Sequence, residues 1–193
     1  MTSSPQWQTL ENGKLAYLAD FLTQQEADTL YQELYRGIAW RQESITLFGR
    51  CVLQPRLQTW FSERPYKYSG LQLQPKAIPP SIHSLKTQCE QVCEQKFNSV
   101  LLNLYRDGQD YMGWHQDNEK ELGHWPVIAS ISLGAERKFS LKHKNNQQKI
   151  DYQLNHGSLL IMVGELQHYW KHALPKSTRI TQPRINLTFR YIK

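Results

Sequence analysis

Apolar residues recur along this chain with two different periods, and the change from one to the other divides it. Early on, Ala27, Leu30, Tyr31, Leu34 and Tyr35 fall at helical spacing behind Thr23-Gln24-Gln25-Glu26. A hydroxyl and a carboxylate three residues apart can each satisfy a backbone N–H left open at a helix start, so a first helix is predicted over 24–36. A second follows Pro79-Pro80, with Ile82, Leu85, Cys89, Val92 and Cys93 on one face, and is predicted to end near Phe97. Both helices are expected to brace a sheet. Between them, 40–75 mixes Trp, Phe, Tyr, Arg and Pro around the turn signals Phe48-Gly49-Arg50 and Tyr68-Ser69-Gly70. That pattern predicts hairpins with exposed aromatics, while Trp40 and Trp60 are expected in the core.

From 98 onward the period becomes two. Strand-like runs cover 99–106, 127–134, 137–143, 150–154, 158–163 and 184–192, separated by Gly, Asn and Asp. Many short strands without intervening helices predict antiparallel pairing in two facing sheets, so the expected fold is α+β: N-terminal helices and a jelly-roll core. A single domain over 1–193 is expected, since 193 residues can bury one continuous core and no linker or repeat interrupts them.

Composition adds limits. An apolar fraction of 39% argues against disorder, and no window approaches the roughly 18 to 20 apolar residues that span a bilayer, so a soluble protein is expected. The opening MTSSPQWQTLENG lacks the basic-then-apolar order of a secretory signal, which makes the cytoplasm the expected compartment. Among three cysteines, Cys89 and Cys93 lie one helical turn apart beside apolar residues and read as reduced thiols. A net charge of +6 favours an anionic partner. Because the basic residues are dispersed, folding must assemble any surface for one.

The chemistry begins at Gly113-Trp114-His115-Gln116-Asp117. On extended backbone, His115 and Asp117 point the same way. Completed by a distant histidine, such a pair forms the facial triad that leaves three positions open on iron(II). His156, His168 and His172 compete for the third place. Independent support comes from Arg184-Ile185-Asn186-Leu187-Thr188-Phe189-Arg190, whose alternation puts Arg184, Asn186, Thr188 and Arg190 on one face. By itself this could be a strand whose polar face meets water. Yet Val100 to Tyr105 also sets Asn103 and Tyr105 side by side, and two guanidinium forks with an amide and a phenol suit a dicarboxylic acid.

Taken together, Asn103-Leu104-Tyr105-Arg106-Asp107-Gly108, His115-x-Asp117, His172-Ala173-Leu174-Pro175 and Arg184 to Arg190 resemble the AlkB family of dealkylating dioxygenases. Phe48-Gly49-Arg50, Pro55-Arg56 and Tyr66-Lys67-Tyr68-Ser69-Gly70 look like the substrate hairpins of its DNA-repair branch. The resemblance implies a double-stranded β-helix core over about 98–193 and a nucleotide-recognition lid over about 40–75. It implies iron(II) held by His115, Asp117 and His172, the last chosen by its place before Leu174-Pro175 and Arg184. It implies 2-oxoglutarate and O2 as cosubstrates, with 2-oxoglutarate held by Asn103, Tyr105, Arg184, Asn186, Thr188 and Arg190.

By the same resemblance, Phe48 would wedge into duplex, Gly49 would allow close approach and Arg50 would meet phosphate. Tyr68 would stack on a flipped base opposite His115, with Tyr66 and Lys67 beside it. The implied reaction is oxidative removal of N-linked methyl groups, of the 1-methyladenine and 3-methylcytosine type, as formaldehyde. Alkylated DNA is the expected partner and RNA, including transfer RNA, the alternative, for a protein acting as a monomer away from membranes. One departure stands out: Asn118, followed by Glu119, occupies the place where repair members often carry an acid, so base contact there is expected to differ.

Overall fold

In the computed structural model the two-residue period resolves into two antiparallel sheets that face one another. Described are residues 4–47, 50–63, 66–68, 71–73 and 75–193, with backbone alone for 46–47, 66–68 and 71–73. The major sheet contains β1 (Trp7–Leu10), β2 (Gly13–Leu18), β5 (Leu57–Ser62), β8 (Ser99–Tyr105), β10 (Ile128–Gly134), β13 (Ser158–Val163) and β15 (Arg184–Arg190). Its strands run in the order β1-β2-β13-β10-β15-β8-β5. The minor sheet contains β9 (Met112–His115), β11 (Arg137–His143), β12 (Lys149–Leu154) and β14 (Trp170–Leu174), in the order β12-β11-β14-β9. This is the jelly-roll arrangement expected.

Helices α1 (Gln24–Gly37) and α2 (Pro80–Cys93) brace the major sheet. Ala27 and Leu34 of α1, with Ile82, Leu85 and Cys89 of α2, pack in one cluster with Val100, Leu102, Ile131, Ile185, Leu187 and Phe189. The other face of the same strands turns toward the minor sheet. There Leu15, Ile128, Leu160 and Met162 meet Leu141, Leu154 and Trp170 at one end of the sandwich, and the polar side chains of β8 and β15 occupy the other. Both faces of β8 and β15 are therefore covered, and every residue of each is buried. The water-facing reading of the Arg184–Arg190 strand is overturned: its arginines lie inside the sandwich.

Four expectations change in detail. The second helix stops at Cys93, short of Phe97, because Glu94 turns left-handed (φ 49°). The chain then folds back so that the Phe97 N–H donates to Glu90 Oε1 at 2.9 Å. The stretch 40–75 is not all hairpin. β3 (Ser44–Leu47) pairs with β4 (Arg50–Leu53), and β6 (Tyr66–Tyr68) with β7 (Leu71–Leu73), but β5 between them joins the major sheet and buries Trp60 and Phe61. The core consequently begins well before 98, taking in β1, β2 and β5. Finally, the last strand ends at Arg190, two residues early. All three cysteines are free, Cys89 buried, Cys93 half-buried and Cys51 exposed on β4.

Glu90 holds this turn together and gives it a pH dependence. Its carboxylate is 2.7 Å from Lys86 Nζ and 2.9 Å from Lys96 Nζ. Burial alone would raise this carboxyl, but hydrogen bonds from Lys86, the Phe97 N–H and Lys96 outweigh it and pull it down to about 2. A carboxyl depressed in the fold stabilises it above the unfolded value, and that stability is lost as pH falls from 4.5 toward 2. Glu90→Gln is expected to flatten the Tm-against-pH curve in that window. At neutral pH it should cost about 3–5 kcal/mol, because Lys86 would stay buried without its carboxylate. An unchanged acid limb of the curve would rule this out.

Candidate active site

The polar end of the sandwich is a pocket whose walls come from both sheets. From β8 and β15 it takes Asn103, Tyr105, Arg184, Asn186, Thr188 and Arg190; from the minor sheet and the turn after it, His115, Asp117, Phe139 and His172. Cross-strand register sets this arrangement. Arg184 lies opposite Tyr105, Asn186 opposite Asn103 and Thr188 opposite Leu101, while His172 lies opposite His115.

His115, Asp117 and His172 each turn one donor atom inward, and these atoms lie within 4.8 Å of one another. The imidazole rings are 4.2 Å apart between centroids at 68°. His115 Nδ1 is 2.8 Å from the Gly113 carbonyl. Only a protonated nitrogen can donate to that oxygen, which assigns the tautomer and leaves the Nε2 lone pair, 4.0 Å from Asp117 Oδ1, facing the centre. Burial holds His172 far below the usual imidazole range, at about 3, and lowers His115 in the same direction. Burial would raise Asp117, but Arg190 and then the two histidines keep it lowered. Two neutral imidazoles and one carboxylate at neutral pH are the donor set of a divalent transition metal.

The competing histidines are occupied elsewhere. His156 accepts the Gly134 N–H on Nδ1 and stands 3.2 Å from Asp28. His168 sits on a short helix, α3 (Leu166–Tyr169), with Nε2 2.5 Å from the His124 carbonyl.

Opposite the triad, Arg190 Nη2 donates to Asp117 Oδ2 at 2.9 Å and so links the arginine strand to the ligand cluster. Arg184 Nη2 donates to Ser132 Oγ at 2.8 Å, while its Nε is buried without a hydrogen-bond partner among the described residues. Burial pushes this guanidinium down to about 10, with the nearby Arg137 adding to the effect. The Tyr105 ring lies between the two, 5.4 Å from the Arg184 guanidinium and 5.8 Å from that of Arg137. Arg137 donates to the carbonyls of Asp107, Asp110 and Pro175, which ties the turn after β8 to the end of β14. Gly108 lets the same turn pair closely with the 177–180 backbone, since a Cβ there would stand 1.9 Å from the Ser177 carbonyl oxygen.

Not every expected substrate residue reaches the pocket. Arg50 is exposed at the start of β4, Asn118 is exposed, and Glu119 is half-buried with burial raising its carboxyl. Phe48, Gly49, Ser69 and Gly70 lie outside the described residues, as do the side chains of Tyr66, Lys67 and Tyr68, whose backbone forms β6. Arg56, by contrast, goes deeper than a surface hairpin would take it. It is 3% exposed, lines the pocket, donates from Nε to Asn103 Oδ1 at 2.8 Å and reaches Gln54 Oε1 with Nη2. Its sequence signal is parity, because Arg56 precedes β5 in phase with the buried Gln58 and Trp60. Gln167 was also missed: fully buried, it accepts the Asp117 N–H on Oε1 at 3.0 Å, and nothing in its sequence neighbourhood marks it.

Comparison with known proteins agrees with this geometry. The profile of the 2OG-Fe(II) oxygenase superfamily matches residues 14–190. Alpha-ketoglutarate-dependent dioxygenase alkB homolog 3 of Bos taurus is 38% identical over 182 residues, which cover 89% of this chain and 64% of the relative. The DNA oxidative demethylase ALKBH2 of Mus musculus is 36% identical over 203 residues, 98% of this chain and 85% of the relative. The solved structure of OsALKBH1 matches 96% of this chain and all of its own with a TM-score of 0.64; at 18% identity that likeness is one of fold. This chain thus spans 64% of the length of the bovine relative. Similarity at this level, over nearly the whole of its sequence, places the protein in the AlkB family of the 2OG-Fe(II) oxygenase superfamily.

Proposed function

We propose that the protein is an iron(II)- and 2-oxoglutarate-dependent dioxygenase that removes N-linked alkyl groups from bases in DNA. One observation carries the proposal: a His-Asp-His cluster and a buried two-arginine strand share one pocket, joined by the Arg190–Asp117 contact. His115, Asp117 and His172 would hold the metal. Two imidazoles and a carboxylate whose donor atoms converge within 4.8 Å suit a divalent transition metal. The unpartnered Arg184 Nε is the matching feature for a carboxylate, with Asn103, Tyr105, Asn186 and Thr188 as neutral polar neighbours.

When bound, iron(II), 2-oxoglutarate and O2 together supply the oxidation of the N-alkyl carbon, yielding succinate and CO2, after which the hydroxylated carbon leaves as formaldehyde. The chain's part is to orient and to exclude water. Arg184 would fix one carboxylate of the cosubstrate, Arg190 holds Asp117 in its ionised form, and Phe139, Met162 and Leu174 keep the pocket lining apolar beside the triad. No side chain serves as a nucleophile.

Bases within a stack cannot reach this buried cluster, so the substrate base must be flipped out. Similarity to the mouse DNA oxidative demethylase ALKBH2 supports DNA as substrate. A panel of 1-methyladenine and 3-methylcytosine oligonucleotides, as DNA and RNA, single- and double-stranded, tests this. Formaldehyde release from methylated DNA is expected, and much faster turnover of methylated RNA would refute the DNA assignment. Within the same panel, Phe48→Ala is expected to reduce turnover of duplex several-fold more than that of single strands, as a wedge would require. Equal losses on both would exclude the wedge.

A further inference from the structure

The third ligand contributes more than its imidazole through the segment that carries it. β9 ends at His115, whose pairing with His172 is the last rung of that ladder, and the register already shifts between this rung and Leu174–Met112. Asp117 therefore lies beyond the strand, where no backbone ladder fixes it. Its carboxylate is held from one side by Arg190. Its backbone is held from the other by Gln167, whose Oε1 accepts the Asp117 N–H at 3.0 Å, taking the place a strand carbonyl would have.

Gln167 is fully buried, and its remaining amide hydrogens meet a weak acceptor, Met162 Sδ, at 3.6 Å. Its own position is fixed on α3. Leu166 is anchored in the apolar end of the sandwich, and Trp170 Nε1 donates to the Glu11 carbonyl at 2.8 Å. His172 follows five residues after Gln167 on the same segment. One side-chain amide thus ties the piece of chain bearing His115 and Asp117 to the piece bearing His172.

We propose that Gln167 is a positioning residue that sets the spacing of the His115-x-Asp117 pair against His172, and through it the affinity of the site for a divalent metal. The inference rests on the metal-site reading above and concerns binding, so it can be tested without turnover. Gln167→Met keeps the length of the side chain and removes the acceptor. In metal-free protein titrated with Mn(II) or Co(II), this variant is expected to bind 10- to 100-fold more weakly, the range lost when outer partners of metal ligands are removed. Leu34→Ala, a cavity in α1 remote from the site, is the control: it should lower Tm and leave the metal Kd within twofold.

A Gln167→Met Kd within twofold of the parent would overturn the proposal. Should that variant fail to fold, hydrogen exchange on the unsubstituted metal-free protein decides. The Asp117 amide is expected to be protected like those of β14, and exchange at the rate of an open loop would also overturn it. If the parent itself bound neither Mn(II) nor Co(II), the metal-site reading would fail first, and this inference with it.

Discussion

Asp117→Asn and His115→Ala are each expected to remove metal binding and 2-oxoglutarate turnover together. Both residues belong to a three-donor cluster with no fourth His, Cys, Asp or Glu grouped with it among the described residues, so nothing nearby can substitute. The loss should exceed the roughly 10- to 100-fold that removal of an outer partner costs. Asparagine is the more informative replacement at 117. It keeps the shape and an oxygen acceptor beside Arg190, which alanine would remove, although either change leaves a buried guanidinium without its counter-charge at about 3–5 kcal/mol. Mn(II) titration and succinate formation, measured on the same preparations, check the coupling. Succinate formation persisting in either variant would show that the ligands have been misassigned.

The second large effect is expected at Arg184, and it has two opposed parts. This cation is 2% exposed and makes no ion pair with a carboxylate among the described residues, an arrangement that is costly to the fold. Arg184→Met should therefore leave the Tm of the cosubstrate-free protein unchanged or raised. Affinity for 2-oxoglutarate should fall by about 2–5 kcal/mol, roughly 30- to several-thousand-fold, the cost of truncating one side of a buried charged pair. Calorimetry of 2-oxoglutarate binding and thermal melts of the same variant test both. A variant that binds 2-oxoglutarate nearly as well as the parent, or melts well below it without cosubstrate, would show Arg184 to be a structural residue.

These residues were legible because their spacing carries chemistry. Two ligands at i and i+2 and alternating polar groups on one strand survive translation into structure, since a strand fixes which side chains share a face. What alternation could not tell was which face met water, and burial of the Arg184–Arg190 polar face is a property of the second sheet. The β1–β2 hairpin turns at Asn12-Gly13, a dipeptide suited to such turns, with Asn12 at φ 58°. β9 and β14 are short and each carries a ligand, so their polar residues break the apolar pattern that would mark them as strands. Gln167 depends on a contact far along the chain, with Asp117, that leaves no local trace, whereas Arg56, bonded to Asn103, is marked only by its phase with Gln58 and Trp60.

The order of strands also bears on how the site comes into being. His115 and His172 are 57 residues apart in the sequence and become neighbours only when β14 has been laid between β9 and β11. Pairings over such distances close late in folding, after the entropy of long loops has been overcome. The triad therefore has no counterpart in the unfolded chain, and metal can reward the finished sandwich without seeding it. A cell short of iron should hold this protein folded but idle. Supplying metal at a hundred times its Kd would deepen the native state by about 2.7 kcal/mol, turning iron status into resistance to unfolding and proteolysis.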